Sequence, residues 1–421
     1  MKRQLQKGHV LANLVLACTS ICLTLGAAEL VLRSIVPLDP RSPSEFRVPD
    51  PALGWVLEAD ANYVYQMPEA VVHVSYNSQG WHDVEHEVKK PDGVFRILIL
   101  GDSFMEAYSV ELEDAFPRRV EALARSAGSN TEVINAGVAG YGTLQEYLMF
   151  EENGQLYAPD LVLLGFLVAN DLMNNSAEIE SLLGPGRAQR DARPFLNPDE
   201  PAAWMIIPGD FDGAQRRYVQ QREFLANQRA KLTERVIALR MLHETIRKIA
   251  KAEENPESGS SVEQRTIEAE ELALLGVNYC GEPVEYTRAW DTTERILSRL
   301  KSDVEALGAQ LVVFTVPGLE EVSLESYEAV NGRIAFPEKL CIEEAPGHQR
   351  LSQILTELDI EMIPLLPEFR RVMREDGALL YRLSDQHWNP DGHALAADLV
   401  VTELIKRDLL PISATQASPL P

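Results

Sequence analysis

Phe95-Arg96-Ile97-Leu98-Ile99-Leu100 runs directly into Gly101-Asp102-Ser103-Phe104. Apart from Arg96 the first six residues are apolar, and a short apolar run without polar alternation reads as a strand buried on both faces. The same signature recurs on either side of an alternating helical pattern. An amphipathic stretch at 115–125 leads to Glu132-Val133-Ile134-Asn135, a second helical stretch at 144–155 leads to Leu161–Phe166 (LVLLGF), and a helix at 290–307 leads to Gln310–Pro317 (QLVVFTVP). A last strand starts near Glu361 (EMIPLL), and a helix over 390–407 follows it. Strands alternating with helices predict a three-layer α/β/α sandwich around a mainly parallel sheet of five strands. In such sheets ligands gather beyond the carboxyl ends of the strands, and Ser103 stands just past one.

The rhythm is interrupted. Residues 172–283 are charged and mostly helical in pattern, with a long candidate helix over 213–251 and a breaker at 253–263 (EENPESGSSVE), and read as an insertion into a body spanning 54–410. Residues 37–53 (PLDPRSPSEFRVPDPAL) are rich in proline and polar groups and read as an extended linker, while 411–421 reads as a disordered tail. Val10–Ala28 carries no charge and is long enough to cross a hydrocarbon core, so 10–36 is expected to be a transmembrane signal-anchor. Lys2, Arg3 and Lys7 then hold residues 1–9 in the cytoplasm and send the body outside it. A cleaved signal peptide, with Gly26-Ala27-Ala28 as its processing site, is the alternative.

The whole chain has 421 residues, 45% of them hydrophobic, enough for a sizeable core, and a net charge of -25. That field repels polyphosphate and argues against nucleic-acid binding. Cys18 and Cys22 fall in the apolar segment; Cys280 and Cys341 fall in a compartment that tolerates disulfides, and both a bridge and two free thiols are open to them.

A serine hydroxyl is a poor nucleophile until a base takes its proton and a third group holds the base. Alone, Gly-Asp-Ser after a strand is an ordinary turn. The sequence also supplies Ser384-Asp385-Gln386-His387-Trp388-Asn389-Pro390 before the last helix. In an extended segment Asp385 and His387 point the same way, so the carboxylate can reach one imidazole nitrogen while the other faces Ser103. Donors for a developing oxyanion are available in Asn135-Ala136-Gly137-Val138-Ala139-Gly140-Tyr141-Gly142 after the second strand and in Asn170-Asp171 after the third. The glycine spacing is the reverse of a dinucleotide fingerprint, no phosphate-binding loop appears, and no cofactor is implied. Asp385, His387, Asp391 and His393 crowd together without the spacing of a metal site, and His73, His82 and His86 read as surface or structural residues.

In order and in residue type, Asp102-Ser103, Gly140, Asn170 and Asp385/His387 resemble the Ser, Gly, Asn and His blocks of the SGNH (GDSL-like) hydrolase superfamily. The resemblance covers 54–407 without the insertion. It implies a flavodoxin-like fold, Ser103 as nucleophile supported by Asp102, an oxyanion hole from the Ser103 and Gly140 N–H groups and the Asn170 side chain, and His387 with Asp385 as the base pair. The superfamily mostly carries its aspartate three residues before the histidine, where this chain has Ser384; Gly137 could replace Gly140 if the loop is shifted. The Asp-x-His-Trp block is similar to the alginate O-acetylation branch, whose members are extracytoplasmic and move acetyl groups on exopolysaccharide. An esterase acting on acylated carbohydrate, or on another ester, is therefore expected outside the cytoplasm. A transferase using the same acyl-serine and a non-catalytic glycan-binding protein are the rivals, and nothing in the sequence fixes an oligomeric state.

Overall fold

The computed structural model describes residues 19–20, 24, 26–27, 41–184, 191–200, 202–233 and 261–412. The chain divides into two compact units, Met1–Pro40 with Gln220–Gly259 and Arg41–Val219 with Ser260–Pro421. Among the described residues no helix is long and apolar enough to cross a membrane. The segment 10–36 expected to do so lies outside them except at five scattered positions, as do residues 1–9 and most of the 411–421 tail.

In the second unit the chain begins with two antiparallel pairs, β1 (Arg47–Asp50) with β2 (Gly54–Leu57) and β3 (Asn62–Gln66) with β4 (Val71–Ser75). Five parallel strands follow: β5 (Phe95–Leu100), β6 (Thr131–Asn135), β7 (Leu161–Phe166), β10 (Gln310–Thr315) and β11 (Glu361–Ile363), interrupted by the short antiparallel pair β8 (Phe195–Leu196) and β9 (Ile206–Ile207). Their order in the sheet is β11-β10-β7-β5-β6. This is the flavodoxin-like order, in which the chain reverses direction of travel between β5 and β7 and opens a crevice beyond their carboxyl ends.

Alternate residues of each strand feed two cores. Leu98, Leu100, Val162, Leu164 and Val313 face one core, closed by helices Thr143–Glu152, Val284–Ala306 and Pro346–Glu357. Ile97, Ile99, Leu161, Leu163 and Phe314 face the other, closed by helices Phe116–Ser126, Leu366–Arg374 and Pro390–Lys406. Burial on both faces explains the unbroken apolar runs. Arg96 survives inside one because its guanidinium donates to Glu132 at 2.8 Å and to the carbonyls of Val88, Tyr157 and Glu87. β11 is shorter than expected, since Pro364 cannot donate to a ladder and the next helix starts at Leu366.

One expected boundary is corrected. The linker over 37–53 does not reach Pro51: the fold starts near Ser42, with Phe46 buried and stacked on Tyr63 at 4.2 Å. The prolines that suggested a linker occupy positions where a missing N–H costs nothing, Pro43 at the first residue of a short 3-10 helix and Pro49 in the two-stranded ladder β1–β2. The mostly helical stretch 172–283 is also built into the body. It adds β8 and β9, and Leu172, Ile179, Leu196 and Ala273 join the first core. Arg193 from the same stretch pairs with Glu180 at 2.8 Å and lies over the Trp55 ring. The expected long helix over 213–251 is helical over Phe211–Thr233; its remainder and the breaker as far as 260 lie outside the described residues, which resume with helix Ser261–Leu275. Cys280 and Cys341 are disulfide-bonded, with Cα atoms 4.8 Å apart.

Candidate active site

Ser103 owes its exposure to the turn after β5. Gly101 has φ +155°, and a Cβ there would lie 2.4 Å from Met105 Cγ, so only glycine lets the chain turn this tightly. Asp102 caps the short helix Ser103–Glu106, its Oδ1 accepting from the Phe104 N–H at 3.0 Å. Ser103 is therefore the first residue of a helix, with its side chain at the crevice.

His387 arrives on a loop folded tightly on itself. The Arg382 N–H donates to the His387 carbonyl at 2.8 Å, the Gln386 N–H donates to the Arg382 carbonyl at 2.7 Å, and Gln386 takes a left-handed φ of 63°. Asn389 then caps helix Pro390–Lys406 by accepting from the Asp391 and Gly392 N–H groups, both at 3.0 Å. This loop brings His387 Nε2 to 2.7 Å from Ser103 Oγ. The imidazole is packed between Phe104 and Tyr108, with ring centroids 4.9 and 5.1 Å away.

Asp385 sits behind the ring. Its Oδ2 is 3.4 Å from His387 Nδ1, long for a hydrogen bond and poorly aligned, but both atoms are buried and have no other hydrogen-bond partner. Catalytic hydrogen bonds commonly tighten only once substrate is bound. Ser384 turns the other way, its N–H and hydroxyl both donating to Glu69. The position where the superfamily carries its aspartate thus anchors the loop to the β3–β4 turn.

The remaining predicted residues surround the serine. Gly140 has φ +80°, between an Ala139 N–H donated to Glu106 at 2.7 Å and a Tyr141 N–H donated to Val138 at 3.1 Å. The N–H groups of Ser103 and Gly140 donate to no acceptor among the described residues. Asn170 Nδ2 donates to Asp102 Oδ2 at 2.7 Å, leaving its second amide hydrogen for the crevice. Gly137 does not take Gly140's place: its N–H donates to Asn135 Oδ1 at 3.1 Å, and it packs on Met105. All six predicted residues, Asp102, Ser103, Gly140, Asn170, Asp385 and His387, line one cavity of about 520 Å³.

Burial opposes charge on His387, but Asp385, Asp102 and Glu106 outweigh it and hold the imidazole pKa above its ordinary value. Burial drives Asp102 up to about 6, against the pull of the Phe104 N–H, His387 and Asn170. Beneath them Asp171 and Glu146, both fully buried, are driven well above the ordinary carboxyl range by burial and by neighbouring carboxyls. His393 is fully buried, its Nδ1 accepting from the Phe116 N–H at 3.2 Å. Among the described residues no group of histidine, cysteine or acidic side chains is arranged to hold a metal ion.

Sequence reasoning missed Phe104 and Tyr108, which clamp the imidazole, and Glu320 and Tyr327 on the cavity wall. Glu320 follows the end of β10, so the rule that pointed to the loops after the first three strands applied to this one as well.

No protein-family model matches the chain, and no curated protein matches it. Solved structures do. An acetyl xylan esterase is 11% identical, with 74% of this chain and all of the other covered at a TM-score of 0.35. A lipase/acylhydrolase from Enterococcus faecalis is 11% identical over 76% of this chain and all of its own, at 0.36. A psychrotrophic esterase from Pseudoalteromonas sp. is 13% identical over 75% and 98%, at 0.34. At such values the similarity assigns neither fold nor activity; both rest on the strand order and the side-chain geometry.

Proposed function

We propose that this chain is an extracytoplasmic serine esterase of the SGNH type, hydrolysing O-acyl, most simply O-acetyl, esters of a cell-envelope or exported carbohydrate. The observation that carries the reading is the 2.7 Å approach of His387 Nε2 to Ser103 Oγ across 284 residues of sequence, at the mouth of a cavity, with Asp385 behind the ring.

Ser103 Oγ attacks the acyl carbon as its proton passes to His387 Nε2, and the Asp385 carboxylate stabilises the imidazolium. The carbonyl oxygen becomes an oxyanion, met by the N–H groups of Ser103 and Gly140 and the free Asn170 amide hydrogen. Collapse expels the alcohol, which takes the proton from His387. Water then attacks the acyl-serine with His387 again as base, releasing the acid and restoring Ser103. An alcohol entering instead of water would give acyl transfer through the same intermediate.

The Cys280–Cys341 disulfide supports a compartment outside the cytoplasm, and the uncharged run Val10–Ala28 behind Lys2, Arg3 and Lys7 supports tethering to the membrane. The test is release of acetate from an aryl acetate and from an acetylated xylo-oligosaccharide by the purified chain. Turnover of both, lost in Ser103→Ala, is expected. Turnover of neither, or turnover that survives Ser103→Ala, overturns the reading.

A further inference from the structure

The cavity wall opposite Asn170 differs from the acylation machinery. Among the described residues none of the lining side chains is lysine or arginine, and Glu320 adds a carboxyl group outside the catalytic set. Glu320 and Glu321 follow β10 side by side, and among the described residues only Glu321 has a side-chain partner. Glu321 accepts from the Gly318 N–H at 3.0 Å and lies 3.0 Å from His348 Nε2. The Glu320 carboxyl folds back over Gly318, where a Cβ would lie 2.3 Å from its Oε1; its own backbone N–H donates to it, and no side chain among the described residues does. Burial and the Glu321 charge raise its pKa to about 8, against the pull of its own N–H. Next to it Tyr327, half-buried, presents its ring on helix Leu324–Asn331. Asn331 and Gln386 exchange amide hydrogen bonds of 3.0 and 3.2 Å, tying that helix to the residue before His387.

We propose that Glu320, Tyr327 and the Asn331–Gln386 pair form the subsite for the alcohol half of the ester, and that it takes an uncharged polyol, a neutral sugar ring, in preference to a uronate or a phosphorylated sugar. The proposal rests on the esterase reading of Ser103. A sugar presents adjacent hydroxyls that need acceptors and an apolar C–H face that needs a flat surface. A carboxyl with free lone pairs supplies the first, and a tyrosine ring supplies the second. The amide pair offers both donors and acceptors at the rim. An anionic sugar would find no cation to pair with among the described residues of the cavity wall, inside a chain of net charge -25. Selectivity here is built by exclusion as much as by attraction.

The subsite is tested by calorimetric titration of the full-length Ser103→Ala chain with a neutral xylo-oligosaccharide and with an oligogalacturonate of equal length. The neutral sugar should bind at least tenfold more tightly, and adding Glu320→Gln should weaken it about five- to thirtyfold, the loss of one or two hydrogen bonds. Asn331→Ala, at an exposed position, should weaken it by a smaller factor and serves if Glu320→Gln does not fold. Equal affinity for the two sugars, no binding of the neutral one at millimolar concentration, or an affinity unmoved by either substitution overturns the proposal. Aryl acetate turnover by the unsubstituted chain reports separately on the esterase reading. If turnover is absent while selective sugar binding persists, the hydrolase falls and the sugar subsite stands.

Discussion

Asn170 Nδ2 donates to Asp102 Oδ2 at 2.7 Å, joining helix Val168–Asn175 after β7 to the turn after β5 across the point where the strand order reverses. Asp102 also caps the helix that Ser103 begins, so one buried carboxyl fixes both the serine and the amide beside it. The geometry of two segments is thereby reduced to that of one rigid unit.

Asn170→Ala removes the proposed oxyanion donor and this link together. A loss of about 10²- to 10³-fold in kcat for aryl acetate is expected, with KM changed much less, since the donor acts where charge develops. Steady-state kinetics decide it; a rise in KM with kcat intact would make Asn170 a ground-state binding residue.

With neutral His387 as the proposed base, activity should be lost as pH falls through the His387 pKa. Because that pKa is held above the ordinary 6.5, the acid limb of kcat/KM should have its midpoint above 6.5. Asp385→Asn removes the strongest raising influence: the midpoint should move to lower pH while the plateau drops about 10³- to 10⁴-fold. A limb that stays put or moves up would separate Asp385 from His387.

The parallel sheet and the four chemistry-bearing loops were legible because burial on two faces leaves strands without polar alternation, and because ligand groups cluster after strand ends. The same logic failed at β1 and β2, where Pro43 and Pro49 mimic a linker while occupying positions that need no N–H. It failed again in the insertion, whose charged sequence hides Ala273 and Arg193, single residues that enter the core without imposing a period. Ser384 could not be assigned from spacing, because its role is set by Glu69, more than three hundred residues away in sequence. Glu320 went unnoticed because a glutamate after a strand end defines no motif by itself.

Glu146 holds its proton more tightly in the folded chain than the ordinary carboxyl value of 4.5 allows, because it is buried beside Asp171 and Asp102. The folded state then binds more protons than the unfolded state as pH rises past 4.5, so stability falls with pH until Glu146's own raised pKa is passed. Glu146→Gln removes this fall and can donate to Asp171. Thermal unfolding should show a higher Tm than the parent at pH 8 and a difference that shrinks toward pH 4; a lower Tm at pH 8 would mean that the proton is structurally required.

The Cys280–Cys341 bridge closes a loop of 61 residues, which by chain entropy contributes about 4 kcal/mol. Cys341→Ser, or reduction under mild denaturant, should lower the unfolding midpoint measurably. Helix Ser261–Leu275, which supplies Ala273 and Leu274 to the cavity, should then lose amide-exchange protection before the sheet does. Uniform loss across the fold would mean the bridge stabilises the body globally.

The central claim is that Ser103 and His387 act as one chemical unit. Labelling the full-length chain with a serine-reactive alkyl phosphonate, followed by peptide mapping, tests it most directly. The account predicts one stoichiometric adduct on Ser103, formed at a rate that falls at least a hundredfold in His387→Ala while the circular dichroism spectrum is unchanged. An adduct on another serine, or labelling of Ser103 at the same rate without His387, would contradict it.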